Sequence, residues 1–244
     1  DQTGLPARAL RFILSLRATG EGHISSITFR TGVIHADGRI EVFAPAGYLT
    51  EPRQIPNPSY ETPLFARKLA EIGLTSEFTR RVIGKLGESF SLEELRGALR
   101  AEDFSLPEGM IQVNLPAGTD SGEAQRIWML ARSNYEVQFQ PHQELSERVL
   151  FPSMPSQSNG IEDARFVHFR NDNGRYTYYA TFTAYDGRSI ASQLLETVDF
   201  LRFRFFTLNG AAVENKGMAL FPRKINGRYA MLARQDGENI SLMY

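Results

Sequence analysis

Two turns rich in asparagine and glycine restrict the fold of this chain more than any other feature of its sequence. Asn226-Gly227 separates the apolar runs 219–225 and 228–234, and Asn171-Asp-Asn-Gly174 separates two further runs rich in aromatic residues. An Asn-Gly pair suits the type I′ turn of a hairpin, because both central residues of that turn need a positive φ angle. The sequence therefore predicts two antiparallel β-hairpins in the second half of the chain.

Short β-like runs recur outside these hairpins as well. Residues 11–17, 23–30 and 39–43 are rich in β-branched and aromatic residues and are separated by turn residues, which is typical of an antiparallel meander. Further turn pairs stand at Asp186-Gly187, Asn209-Gly210 and Asp236-Gly237. Short strands with a turn every ~10 residues favour an all-β sandwich, barrel or propeller over alternating strands and helices.

The hydrophobic period changes to that of helices between residues 61 and 133. Leu64, Phe65, Leu69 and Ile72 recur at helical spacing, and Ser91-Leu-Glu-Glu94 has the pattern of a capping box. We expect two or three helices over residues 63–101, a connection over 107–122 and a short helix near 124–130. The predicted division is a β segment over 1–60, a helical insert over 61–133 and a second β segment over 134–244.

A weak internal repeat distinguishes between the all-β architectures. The pattern of strand, turn, strand, Asp-Gly turn and strand that begins at Ala164 returns from Gly217, 53 residues later. Repeats of roughly this length with several strands each are typical of β-propellers. The meander within 11–43 would be a third unit, and the last unit stops at Tyr244 within a strand. We therefore expect about three blades of a longer propeller, incomplete at its C-terminal end.

Charge and composition exclude several classes of function. The chain has 27 Lys and Arg residues against 28 Asp and Glu residues, so it offers no basic field for nucleic acid or an anionic membrane. The apolar run 10–16 is too short to span a membrane. Absence of cysteine excludes disulfides and cysteine-ligated metals and favours a reducing compartment such as the cytoplasm, with the bacterial periplasm also compatible. The four histidines lack metal-ligand spacing, so neither a metal nor another cofactor is expected.

The segment 156–165 is the strongest candidate for chemistry. It places Glu162 and Asp163 one residue before Arg165, with Ala164 between them, at the predicted start of a strand. A carboxylate flanked by a guanidinium can act as a general acid whose charge and orientation its neighbours control. The alternative from the residues alone is a solvated turn with a local ion pair.

Gly160-Ile-Glu-Asp-Ala-Arg165 resembles the signature Gly-x-Glu-Asp-Pro/Ala-Arg of glycoside hydrolase family 130, and other segments resemble that family in the same order. These segments are Leu16-Arg17 with Gly22–Ser26, then Tyr178–Asp186, Thr197–Phe200 and Asn215–Lys224. The resemblance covers roughly residues 10–35 and 150–244 and leaves the helical insert unexplained. It implies a five-bladed β-propeller that acts on β-mannosides, either as a phosphorylase or as a mannosidase.

The resemblance also implies roles for individual residues. Asp163 matches the proton donor of the family, which is thought to pass its proton to the glycosidic oxygen through a sugar hydroxyl. Arg17 and Arg165 would hold the sugar or orient the acid, and Lys216 matches the lysine that binds phosphate in the phosphorylases. We place Glu162 with Arg17, Arg165 and Lys216 among the substrate-binding residues.

The second reactant decides between hydrolysis and phosphorolysis. A phosphate nucleophile needs several cationic donors, but Met231-Leu-Ala-Arg234 stands where the phosphorylases carry a histidine. The mannosidases activate water with glutamates, for which Glu196 and Glu238 are the candidates; the alternative for each is a surface carboxylate. We therefore expect an inverting hydrolase acting on a mannoside or oligosaccharide, with homo-oligomerisation possible. A β-mannoside phosphorylase and a non-catalytic sugar-binding propeller are the alternatives.

Overall fold

The structure is a computed structural model that describes residues 4–55, 59–104 and 120–244. Within those residues the chain forms fifteen strands and four α-helices. The strands are β1 Leu10–Thr19, β2 Ser25–Ile34, β3 Ile40–Val42, β4 Arg53–Ile55, β5 Tyr60–Glu61, β6 Ser89–Phe90, β7 Tyr135–Gln138, β8 Val149–Leu150, β9 Gly160–Arg170, β10 Tyr176–Tyr185, β11 Ile190–Thr197, β12 Arg202–Thr207, β13 Ala219–Leu220, β14 Met231–Ala233 and β15 Ser241–Met243. The helices are α1 Thr62–Glu71, α2 Glu77–Gly84, α3 Leu92–Arg100 and α4 Asp120–Arg132.

Ten of these strands form one curled sheet. Its main order is β1-β2-β9-β10-β11-β12-β7-β4, and β3 and β8 also pair with β2. Neighbours are antiparallel except at one point, where Ser25 of β2 pairs in parallel with Gly160 of β9. The predicted meander is present as β1, β2 and β3, and the predicted hairpin around 171–174 is present as β9 and β10.

The mainly β fold is confirmed, whereas the five-bladed propeller stays a prediction. The two segments predicted as separate blade regions, 1–60 and 134–244, contribute strands to the same ten-stranded sheet. Propeller blades are sheets of about four strands each, and separate blades of that kind are not seen in the part of the chain that the structure describes.

The hairpin predicted around Asn226-Gly227 is present in a small sheet of order β13-β14-β15. Both turn residues have positive φ angles, 51° and 74°, as a type I′ turn requires. The regular strands are shorter than predicted, because the segment before the turn leaves β14 and meets the end of β9. There the N–H of Arg170 donates to the carbonyl of Pro222, which itself has no N–H to pair with a strand.

Aromatic side chains fill the core of the large sheet. Phe29 of β2 lies against three other rings, at centroid distances of 5.8 Å to Phe166, 5.6 Å to Phe200 and 5.9 Å to Phe203. Phe29 and Phe203 are fully buried. Because these rings come from β2, β9, β12 and the loop before β12, their contacts hold the N-terminal hairpin against the C-terminal half of the sheet.

The predicted helices are present and enclose a second core. Its members include Phe65 of α1, Val82 of α2, Leu99 of α3 and Ile127 of α4. The Ser91 capping box is formed, with both reciprocal hydrogen bonds to Glu94. Most of the connection predicted over 107–122 lies outside the described residues. None of the described helices is long and apolar enough to cross a membrane.

Lys68 of α1 joins the helical core to the large sheet. Its Nζ donates to Asn134 Oδ1 at 2.9 Å and to the carbonyl and hydroxyl oxygens of Thr207 at 3.2 Å each. Burial lowers the pKa of Lys68 from its ordinary value of 10.5 to about 8. The negative charge of Glu71 acts in the other direction and raises this pKa, but its effect is smaller. The ammonium thus forms good hydrogen bonds at a position where its charge is poorly solvated.

This burial predicts a pH dependence of stability. Between pH 8 and 10.5 the unfolded chain holds more protons at Lys68 than the folded chain, so the free energy of unfolding rises with pH over that window. Lys68→Met removes the titrating group and with it this pH dependence. The free energy of unfolding of the wild type minus that of the variant should therefore increase from pH 8 to pH 10.5, by up to roughly 3 kcal/mol. Urea unfolding of both proteins at pH 7 and pH 10.5 measures it. A difference that does not change with pH would contradict the prediction.

Candidate functional site

A β-bulge in β9 shapes the region around Asp163. In the pairing of β9 with β10, Glu162 lies opposite Thr183 and Arg165 lies opposite Thr181, so Asp163 and Ala164 together face one residue of β10. Residues three apart on a regular strand point to opposite faces. The extra residue places Glu162 and Arg165 on the same face and turns the strand at Asp163.

Asp163 itself has the backbone conformation that the bulge requires. Its φ angle is 54°, in the left-handed region that Asp and Asn adopt more readily than most residues. A non-glycine residue held there costs on the order of 1 kcal/mol, so surrounding contacts must maintain the conformation. Such strain is often found at functional sites, where it aims a side chain.

Lys216 supplies a cation next to Asp163. Its Nζ lies 3.9 Å from Asp163 Oδ2, and both side chains are partly exposed, by 47% and 38%. Two polar side chains of the large sheet position the backbone around Lys216. The hydroxyl of Ser192 donates to the carbonyl of Asn215, and the hydroxyl of Thr181 donates to the carbonyl of Met218. The segment 215–218 therefore crosses the face of β10 and β11 beside the bulge.

Two arginines approach this segment at Gly217. Arg165 Nη1 donates to the carbonyl of Gly217 at 2.9 Å. A Cβ atom at Gly217 would lie 3.3 Å from Arg165 Nη2 and 3.8 Å from Arg234 Cδ. Gly217 has a φ angle of 85°, so glycine serves both the backbone conformation and the close approach of the two side chains. Sequence reasoning did not single out Arg234 as a site residue.

Arg17 and Glu162 form an ion pair between β1 and β9. Arg17 Nη2 lies 3.0 Å from Glu162 Oε1, and Arg17 Nε donates to Ser25 Oγ at 2.9 Å. Ser25 is the residue of β2 that meets Gly160, where an added Cβ would come within 2.8 Å of the Ser25 nitrogen. The junction of β2 with β9 thus fixes Arg17 through Ser25. Gly160, at the start of the predicted motif, is the residue in the sequence that indicates this close approach, because a side chain there would collide with Ser25.

A small cleft opens beside Asp163 between β1 and β9. Its volume is about 110 Å³, and its walls include Ser15, Arg17, Ile161 and Asp163. The structure therefore brings together Arg17, Glu162, Asp163, Arg165 and Lys216, five of the seven residues that the sequence selected. Among the described residues no group of three or more His, Asp or Glu side chains is placed to hold a metal ion.

Glu196 belongs to a different group of side chains. Its Oε1 lies 3.2 Å from Arg204 Nη1, and Arg204 Nε in turn lies 3.2 Å from Glu136 Oε1. On its other side Glu196 pairs across the strands with Tyr179, whose pKa is raised by burial and by the charge of Glu196. Tyr179 pairs in turn with Val167 of β9.

Glu196 is thus two strands away from Asp163 and level with Val167. The separation of the Cα atoms of Glu196 and Asp163 is on the order of 14 Å from strand geometry.

Glu238 lies in the exposed turn between β14 and β15. Asp236 Oδ1 accepts hydrogen bonds from the N–H groups of Glu238 and Asn239, and the Asn239 side chain donates to the same carboxyl. Those bonds lower the pKa of Asp236 to about 2. A Cβ at Gly237 would lie 3.4 Å from Asn215 Nδ2. This turn therefore adjoins the segment that carries Lys216.

Comparison with known proteins finds a similarity over part of the chain. A stretch of 100 residues, 41% of this chain, is 36% identical to a β-1,2-mannobiose phosphorylase from Listeria innocua. The stretch spans about a quarter (26%) of that relative's length. No family model matches the chain, and no solved structure matches it significantly. The similarity agrees with the resemblance to glycoside hydrolase family 130.

The left-handed conformation of Asp163 predicts how substitutions there affect stability. Asp163→Asn should leave the free energy of unfolding within about 0.5 kcal/mol of the wild type, because Asn adopts positive φ readily. Asp163→Val should lower it by about 1–3 kcal/mol, since a β-branched residue is strained at such an angle. Urea unfolding of the three proteins measures both effects. Equal stability of the Asn and Val variants would show that the bulge does not hold residue 163 in this conformation.

Proposed function

We propose that the chain forms part of an enzyme that cleaves β-mannosidic bonds, with Asp163 as the proton donor. The main support for this proposal is the bulge, because it sets Asp163 beside Lys216 at an accessible cleft. Asp163 also lies in the segment that resembles the family signature. The partial similarity to a β-1,2-mannobiose phosphorylase supports the same substrate class. In this proposal the ten-stranded sheet belongs to a five-bladed propeller.

Asp163 acts as a general acid in the proposed reaction. It donates its proton to the departing glycosidic oxygen, directly or through a sugar hydroxyl, and becomes a carboxylate. The ammonium of Lys216, 3.9 Å away, then compensates the new negative charge. A positioned general acid contributes about 10²–10⁴-fold to the rate.

Arg17 offers a polar group for the sugar on the β1 side of the cleft, and Glu162 is its ion-pair partner. Their ion pair is partly exposed, with 46% of the Arg17 side chain and 17% of the Glu162 side chain accessible. Charged groups paired in this way can bind sugar hydroxyls as donor and acceptor while they hold one another in place. We propose that this pair orients the mannosyl unit.

Water is the proposed second reactant, and Glu238 is the preferred group to activate it. An inverting hydrolase keeps its two carboxyl groups ~6.5–9.5 Å apart, or farther where a hydroxyl relays the proton. Glu238 is exposed in a turn that adjoins Asn215, whereas Glu196 is held by Arg204 and pairs with Tyr179. Of the two glutamates selected from the sequence, Glu238 is thus better placed to reach the cleft.

Phosphorolysis is a second candidate, favoured by the two arginines at Gly217. Arg165 donates to the carbonyl of Gly217 and Arg234 to the carbonyl of Gly237, so each retains a charge that these partners do not neutralise. Together with Lys216 they provide cationic donors of the kind that an attacking phosphate requires. In contrast, the ion pair of Arg17 with Glu162 reduces the positive charge that phosphate would meet.

The proposal predicts the products and the effect of single substitutions. The complete enzyme of which this chain forms part should release free mannose from β-1,2-mannobiose at a rate indifferent to added phosphate, and Asp163→Asn in that enzyme should lower turnover at least ~10²-fold. Glu238→Gln should suppress release more strongly than Glu196→Gln, its matched control. Chromatographic identification of the sugar products, with and without phosphate, measures all of these.

Two outcomes would change the proposal. Mannose 1-phosphate that appears only with added phosphate would establish the phosphorylase instead of the hydrolase. Turnover by Asp163→Asn close to that of the wild type would remove Asp163 from the mechanism.

A further inference from the structure

A cavity lies at the junction of the helical core with the large sheet, and we call it the junction cavity. Its volume is about 180 Å³. Its walls include Leu64 and Lys68 of α1, Asn134 before β7, and Arg204 and Phe206 of β12. In the large sheet β12 is separated from β9 by β10 and β11. The junction cavity is therefore distinct from the cleft between β1 and β9.

The ammonium of Lys68 forms part of the cavity wall without a carboxylate to balance its charge. Its hydrogen bonds go to neutral oxygen atoms of Asn134 and Thr207, and it forms no ion pair with any residue in the described part of the chain. The other three lysines are each paired, Lys85 with Glu102, Lys216 with Asp163 and Lys224 with Asp172. Because a poorly solvated charge is costly without a counter-charge, the junction cavity favours an anion.

The other charged groups around Lys68 do not remove this imbalance. Glu71 on α1 and Glu61 directly before α1, which also lines the cavity, are both exposed, so water screens their attraction for the ammonium. Arg204 approaches from β12, and its Nε and Nη1 pair with carboxylates of β7 and β11. These pairs balance much of its charge but do not use Nη2, which is thus a hydrogen-bond donor for a ligand.

Apolar side chains provide much of the remaining wall. Leu64 is 49% exposed, and the half-buried Phe206 ring lies 5.1 Å below the guanidinium carbon of Arg204. A ligand that covers Leu64 and Phe206 removes their apolar surface from water, which favours binding. The cavity has the volume of roughly six water molecules, so it suits one ring or a short alkyl group rather than a nucleotide or a chain of sugars.

We infer that the junction cavity binds a small organic carboxylate with an apolar or aromatic body. The carboxylate accepts hydrogen bonds from Nη2 of Arg204 and from Lys68, whose ammonium gives up one of its two bonds to Thr207. The apolar body lies against Leu64 and Phe206. A ligand held in this way contacts α1 and β12 together and stabilises the attachment of the helical core to the large sheet. The inference does not depend on the proposed function.

Calorimetry on the full-length protein tests the junction cavity with simple compounds. At pH 7 benzoate should bind at least about 10-fold more tightly than benzyl alcohol, which has the ring without the charge. It should also bind at least about 5-fold more tightly than acetate, which has the charge without the ring. Lys68→Met should weaken benzoate binding by about 10-fold or more. Lys85→Met, which removes the same charge from a lysine that pairs with Glu102, should leave the affinity unchanged.

The affinity for benzoate should also fall as the pH rises. Benzoate remains charged above pH 7, but Lys68, whose pKa burial lowers to about 8, loses its proton over this range. At pH 9.5 only about 3% of the free protein still carries the ammonium, so the affinity should be roughly 10–30-fold weaker than at pH 7. The affinity for benzyl alcohol, which has no charge, should not change.

Several results would overturn the inference. If benzoate does not bind at pH 7, or binds no more tightly than benzyl alcohol, the cavity does not recognise a carboxylate. Equal benzoate affinity at pH 7 and pH 9.5 would show that Lys68 is not the binding cation, and this measurement decides the matter without a variant if Lys68→Met fails to fold. Inorganic phosphate that binds more tightly than benzoate would show that the apolar wall plays no part.

Discussion

The one additional residue of β9 opposite β10 is the constraint on which the candidate site depends. Without it, Glu162 and Arg165 would point to opposite faces of the sheet. With it, Glu162 reaches Arg17 of β1, Arg165 reaches Gly217, and Asp163 turns toward Lys216. The bulge costs about 1 kcal/mol of backbone strain, and it brings side chains of β9 into contact with β1 and with the segment 215–218.

The bulge is effective because rigid packing surrounds it. The single parallel contact of Ser25 with Gly160 lies three residues before Asp163 and fixes where β2 leaves β9. Buried rings such as Phe29 and Phe203 hold the two halves of the sheet beyond that point.

Local chemistry in the sequence predicts the elements but not their long-range arrangement. The Asn226-Gly227 hairpin and the Ser91 capping box were predictable because each depends on a few adjacent residues. The motif 160–165 also identified most of the residues that the structure gathers. The position of Glu196 was not predictable, because its neighbours Arg204 and Tyr179 are set by strand register rather than by sequence distance. The joining of residues 1–60 and 134–244 into one sheet likewise depends on pairings that no local pattern encodes.

A crystal structure of the Asp163→Asn protein with β-1,2-mannobiose tests most directly whether Asp163 is the proton donor. The disaccharide should occupy the cleft between β1 and β9. The side chain of residue 163 should lie within hydrogen-bond reach, ~2.6–3.2 Å, of the glycosidic oxygen or of a sugar hydroxyl next to it. A disaccharide bound elsewhere, with residue 163 out of contact with the sugar, would contradict the assignment of Asp163 as the proton donor.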